Sequence, residues 1–117
     1  MIAIDLPKER AMMHLDTIFT QTSYDEGILF NHENYNIDQL PVYYASKKSK
    51  NTNLTKHKMN FVELLQDFGF NLISCGGLES NFKLREQLTD GANSFVLEPG
   101  KVIMYNCNDY TILELEK

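Results

Sequence analysis

Apolar and polar positions along the chain follow two periods, and the changes between them mark its elements. From Asn60 to Gly69 the residues Phe61, Val62, Leu64, Leu65 and Phe68 fall on one stripe at helical spacing, with Glu63, Gln66 and Asp67 opposite. This predicts an amphipathic helix, with Gly69 where a left-handed C-terminal cap is expected. Met12 to Thr20 has a period nearer two and predicts a strand. Leu15, Thr17 and Phe19 would face one way and His14, Asp16, Ile18 and Thr20 the other. Asp25 to Gly27 reads as a turn into a partner strand, Gly27 to Phe30. Ile2 to Asp5 is a short apolar run stopped by Pro7, Val42 to Ala45 is a further short β candidate, and the asparagine-rich stretch Asn31 to Gln39 is expected as loop. Phe70 to Ser74 predicts a buried strand broken by Gly76 and Gly77. Asn81 to Leu88 predicts a helical turn, and Asp90-Gly91 a tight turn. Ser94 to Glu98 and Lys101 to Asn106 predict a hairpin through Pro99-Gly100. Tyr110 to Glu116 is expected as a last helix capped by Asp109.

The order is strand, strand, helix, strand, then strand, strand, helix. It describes a mixed α/β chain made of one ββαβ unit, residues 1–75, and most of a second, residues 76–117. The second unit lacks a closing strand, so an apolar helix face and a strand position are expected to be left unsatisfied. The 117 residues suffice for one domain with a modest core.

Composition narrows the function classes. An apolar fraction of 43% and a charged fraction of 23% fit an ordinary globular chain. No apolar run approaches the roughly 20 residues of a membrane span, and Met1 to Arg10 does not resemble a signal peptide. A cytoplasmic address, without membrane partners, is the expectation. The net charge of −5 argues against a nucleic-acid partner. The basic stretch Lys47, Lys48, Lys50, Lys56 and Lys58 is interleaved with Ser, Asn and Thr and is expected to be a solvated loop. Cys75 and Cys107 have no zinc-ligand spacing and are expected to be free thiols.

A few residues have the chemistry to form a site. His14 and Asp16, two apart on the expected strand, would leave from one face, where an imidazole beside a carboxylate suits proton transfer and cation binding. On the residues alone, a histidine at the sheet surface beside an acid accounts for them better. His32 and His57 have no ligand spacing to His14, so no metal is expected. Cys75, at a strand end before Gly76-Gly77, is either a nucleophile or a small buried apolar residue, with the second favoured. Cys107, just before the last helix, is either a thiol activated by the helix's positive end or an incidental one, again with the second favoured. The block Arg85, Glu86, Gln87, Asp90, Gly91 and Asn93 is expected to build its own hydrogen-bonded loop or to shape a pocket rim, with Gly91 supplying positive φ. No GxGxxG or Walker pattern surrounds Gly76-Gly77.

Two stretches, one early and one late, together resemble one family. Pro7-Lys-Glu-Arg-Ala-Met-Met-His-Leu-Asp-Thr-Ile-Phe-Thr20 looks like the arginine deiminase segment built around Met-His-Leu-Asp-Thr. Cys75-Gly-Gly with Arg85-Glu-Gln-Leu-Thr-Asp-Gly-Ala-Asn93, and Leu97-Glu-Pro-Gly-Lys-Val-Ile-Met-Tyr105, look like that family's later block. The likeness runs from about Ile2 to Glu116, with Asp25 to Lys58 divergent. It implies a partial pentein, or α/β-propeller, fold. It also implies hydrolysis of arginine to citrulline and ammonia through a covalent intermediate on a cysteine thiolate, without a cofactor. A cationic, resonance-stabilised guanidinium needs charge pairing, orientation and a strong nucleophile. Residue by residue, His14 matches the proton-transfer histidine and Asp16 a guanidinium-binding aspartate, which reverses the balance for that pair.

The rest of the family's site does not carry over. Its nucleophilic cysteine lies beyond the stretch matched by these residues, and Cys75 is not in the nucleophile's place. Cys107 stands where the family has arginine in Tyr-Asp-Arg-Asn, Leu88 where it has tryptophan, Lys83-Leu84 where it has a small residue and Glu, and Leu78-Glu79 where glycine and a polar residue are commoner. The resemblance therefore implies a truncated deiminase, inactive alone, with arginine or another guanidino compound as ligand. Two alternatives remain open at this level: one part of a split enzyme completed by a partner fragment, or a non-catalytic homo-oligomeric binding protein on the same scaffold.

Overall fold

The structure is a computed structural model that describes residues 1–48 and 51–117. It is a mixed α/β arrangement of three small sheets and three helices, with no closed barrel among the described residues. One sheet is formed by β2 (Phe19–Gln21), β3 (Glu26–Leu29) and β6 (Asn71–Ser74). β3 lies between the other two, antiparallel to β2 and parallel to β6. A parallel pair needs a crossover, and α1 (Phe61–Asp67) lies in it. Two antiparallel strands, a helix and a parallel strand thus follow one another as expected, with strands of a second sheet inserted before the helix.

Helix α1 forms where the apolar stripe requires it. Phe61, Leu64 and Leu65 are buried, whereas Phe68 at the last turn is exposed. The Asn60 N–H donates to the Glu63 carboxylate at 2.9 Å, satisfying one of the donors left open at a helix start. Gly69 ends the helix with φ of +86°. The buried face meets Met12, Ile18, Ile28, Leu29, Phe30 and Val42 in one core. The Phe19 ring meets Phe61 and Phe70 edge-on, with centroids 6.0 and 5.6 Å away.

Two predicted elements differ in kind. Met12 to Thr20 is not one strand: Arg10–Met12 and Leu15–Thr17 are single 3₁₀ turns, and the strand begins only at Phe19. The polar side chains compete for the backbone. The Thr17 hydroxyl donates to the His14 carbonyl at 2.7 Å and the Thr20 hydroxyl to the Asp16 carbonyl at 3.3 Å. The apparent alternation was therefore a series of turn bonds. The described part of the lysine-rich stretch is likewise not a loop. β4 (Pro41–Lys48) and β5 (Asn51–Asn60) form an antiparallel hairpin, joined at the other edge by β1 (Ile2–Ile4). Pairs such as Tyr44 with Thr55 and Tyr43 with Lys56 supply residues suited to a half-exposed sheet. Of the basic stretch, Lys50 lies outside the described residues, as does Ser49.

The second half is β7 (Phe95–Glu98) and β8 (Lys101–Ile103), preceded by α2 (Ser80–Leu88) and followed by α3 (Asp109–Leu115). The hairpin turns at Pro99-Gly100 as expected, and the Gly100 N–H donates to the Thr22 carbonyl at 2.9 Å, tying it to the first sheet's turn. β8 ends three residues earlier than the pattern predicted, and Asn108, not Asp109, occupies the cap position of α3. The β7–β8 pair presents Phe95, Leu97 and Ile103 outward, with Tyr105 beyond it, all more than half exposed. No helix is long and apolar enough to cross a membrane among the described residues.

Candidate functional site

His14 is the extended residue just before the Leu15–Thr17 turn, and Asp16 lies within that turn. The pair is close in sequence but does not share a strand face, which corrects the geometry expected from spacing. Both are exposed. They border adjoining hollows. A hollow of about 250 Å³ is bordered by Arg10, Met13, His14, Gln87, Leu88 and Asp90. An open depression, which shares His14 with that hollow, is bordered by His14, Asp16, Phe19 and Thr20. An imidazole and a carboxylate at one solvent-open edge can exchange protons with, and pair charge against, a cationic ligand.

Local chemistry fixes the turn. The His14 carbonyl receives both the hydroxyl and the N–H of Thr17, and the Ile18 N–H returns to the Leu15 carbonyl at 2.9 Å. The buried side chains of Met12 and Ile18 anchor the turn from either side. These contacts place His14 and Asp16 on the rim of the core, not in it.

The polar block Arg85 to Asn93 reaches this edge through Gln87, Leu88 and Asp90, so its reading as a pocket rim fits the geometry. Its hydrogen bonds do not close within one loop. Glu86 is fully buried in α2 and accepts the N–H groups of Tyr110 and Thr111, both at 2.9 Å, and the Thr111 hydroxyl at 2.6 Å. A carboxylate from one helix thereby satisfies the open donors at the start of another. Arg85, half exposed, approaches the same carboxylate at 3.2 Å and lies over the stacked rings of Phe82 and Tyr110. Asn108 exchanges two hydrogen bonds with Thr89, at 2.5 and 3.0 Å. Positive φ falls on Asp90 (+59°). Gly91 is required for space instead: a Cβ there would lie 2.8 Å from the Cys75 sulfur and from the Glu86 carbonyl oxygen.

Cys75 is fully buried. Burial is the main cause that pushes its thiol up to about 12, with the Glu86 charge adding to it and the Thr111 hydroxyl opposing. Such a sulfur is a packing residue, not a thiolate. Cys107 is exposed and borders neither hollow beside His14. Among the described residues no group of His, Cys, Asp and Glu side chains is arranged to hold a metal ion. His32, buried on Phe30, accepts the Asn34 N–H through Nδ1 at 3.1 Å and takes no part in the His14 edge.

Sequence reasoning missed Glu86, Gln87, Asn108 and Thr111 as buried structural polar residues. One signal was available: the predicted helix Asn81 to Leu88 carries few apolar residues, so its buried face had to include polar ones.

The family model described as arginine deiminase matches residues 1–117. The chain belongs to the arginine deiminase family. It is 43% identical to an arginine deiminase from Mycoplasma capricolum, over 99% of this chain and 28% of that protein. An arginine deiminase from Borreliella burgdorferi is 34% identical over 94% of this chain, and one from Listeria monocytogenes 32% identical over 92%. Each of these two matches covers 27% of the relative. The chain thus spans little more than a quarter of the curated relatives it matches.

Proposed function

We propose that these 117 residues form the proton-transfer part of an arginine deiminase site, for hydrolysis of L-arginine to citrulline and ammonia in the cytoplasm, and that they do not turn over arginine alone. His14 donates and then accepts the proton, and Asp16 pairs with the guanidinium. The nucleophilic thiolate comes from polypeptide outside these residues. One observation carries the reading: His14 and Asp16 border the same open edge of the fold, while Cys75 is buried as a neutral thiol and Cys107 borders neither hollow there. Without a thiolate the covalent route has no first step.

In this reading the ββαβ unit and the β7–β8–α3 unit are modules of a pentein propeller, with residues 1–75 and 76–117 as their approximate bounds. The outward side chains of Phe95, Leu97, Ile103 and Tyr105 favour coverage by further deiminase polypeptide, whether a complementary fragment or a second copy. The test is citrulline release from arginine by the purified chain, alone and mixed with the remaining segments of a relative, beside the His14→Ala variant. Turnover only in the mixture, lost in the variant, is the expected result. Turnover by the isolated chain contradicts the reading.

A further inference from the structure

The segment carrying His14 has few bonds to the rest of the molecule. At one end the Asp5 N–H donates to the Pro41 carbonyl at 3.2 Å, and at the other the Ile18 carbonyl accepts the Phe30 N–H at 2.8 Å. Between them the backbone bonds are local: Glu9 to Pro7, Met12 to Glu9, Thr17 to His14. Ala11 is the exception among the described residues. Its carbonyl accepts Gln87 Nε2 at 2.6 Å, across 76 positions of sequence.

Gln87 is built to hold that bond. It is 6% exposed, and the residue before it, Glu86, is locked by three donors from the start of α3. The donor therefore comes from a helix that cannot easily turn. The acceptor lies three residues before His14, and Gln87 and His14 border the same hollow. A partly buried carbonyl deprived of its donor seeks another partner, and a turn whose other hydrogen bonds are local, anchored besides only by the Met12 and Ile18 side chains, can shift to find one.

We propose that Gln87 is the positioning residue for His14: its side-chain amide fixes the Ala11 carbonyl and so sets where the imidazole stands at the edge of the hollow. The inference rests on the proposed function for the role of His14, but not for the bracket itself.

The three histidines of the chain allow a site-specific test by NMR of the imidazole C–H signals. His32 packs on Phe30 and His57 on Tyr44, so they report on the fold elsewhere. Gln87→Met keeps the length of the side chain and removes the donor. The expected result is that the His14 signal moves by more than its line width, while His32 and His57 stay in place. An unmoved His14 overturns the proposal, as do three signals that move together. The unsubstituted chain gives a second measurement that does not depend on how the variant folds. The Gln87 side-chain amide protons are expected to exchange slowly and to show through-space cross-peaks to residues 11–13, and their absence also overturns the proposal. A confirmed bracket beside citrulline release that is indifferent to His14→Ala would overturn the functional reading alone.

Discussion

Glu86 and Thr111 are joined twice. The buried carboxylate accepts the Thr111 N–H at 2.9 Å and its hydroxyl at 2.6 Å, and the same hydroxyl accepts the Gly76 N–H at 2.8 Å. One carboxylate thus connects α2, the start of α3 and the turn after β6. A charged acceptor with no access to solvent is stabilising only while its donors are in place.

Glu86→Ala is therefore expected to lower stability by about 3 kcal/mol, since the α3 donors lose their acceptor in a site closed to water. Glu86→Gln, which keeps one acceptor oxygen, is expected to cost about 1–2 kcal/mol. Urea denaturation of the two variants checks the order, and equal midpoints with the unsubstituted chain would refute the role given to Glu86.

Gly76 has φ of +76°, and a Cβ there would run into the backbone of Phe82 and Lys83 at the start of α2. Gly76→Ala is expected to cost about 3 kcal/mol or more, the left-handed backbone and the collision acting together. Gly100, with φ of +80° and open space around it, meets only the first cost, about 1–2 kcal/mol. Thermal melting of both variants should separate them in that order.

Cys75 should stay silent toward a thiol reagent in the native chain while Cys107 reacts, and both should react in urea. The pH dependence follows in sign. The folded thiol stays protonated up to about 12, against an ordinary value of 9.0 in the unfolded chain. Above that ordinary value the unfolded state releases a proton that the folded state keeps, so stability falls as pH rises from 9.0 toward 12. Each pH unit costs up to about 1.4 kcal/mol. Cys75→Ala should remove this part of the slope, and identical slopes would contradict it.

The elements read correctly from sequence were those fixed by short-range rules. The α1 stripe with Gly69, the strand expected over Phe70 to Ser74 (Asn71–Ser74 in the structure, and partly exposed rather than buried) and the Pro99-Gly100 turn needed only periodicity and turn chemistry. The turns around His14 were missed because Thr17 and Thr20 divert backbone carbonyls, which an alternating pattern does not reveal. The β4–β5 hairpin was missed because its stability comes from cross-strand pairing, and its lysines look like a loop until the partner strand is known. Within the site, His14 and Asp16, which the fold leaves exposed at one edge, were legible as candidates through the motif. The supports at Glu86 and Gln87 were not, because their partners, Thr111 and Ala11, lie 25 and 76 positions away.

The most direct test of the central claim is citrulline formation when the chain is mixed with the complementary segments of an arginine deiminase whose own copy of this region has been removed. The account predicts activity that requires both parts, is abolished by His14→Ala, falls at least about 100-fold in Asp16→Asn, and survives Cys75→Ala. Activity that persists in His14→Ala, or that disappears on removing the Cys75 sulfur while the fold is retained, would contradict it.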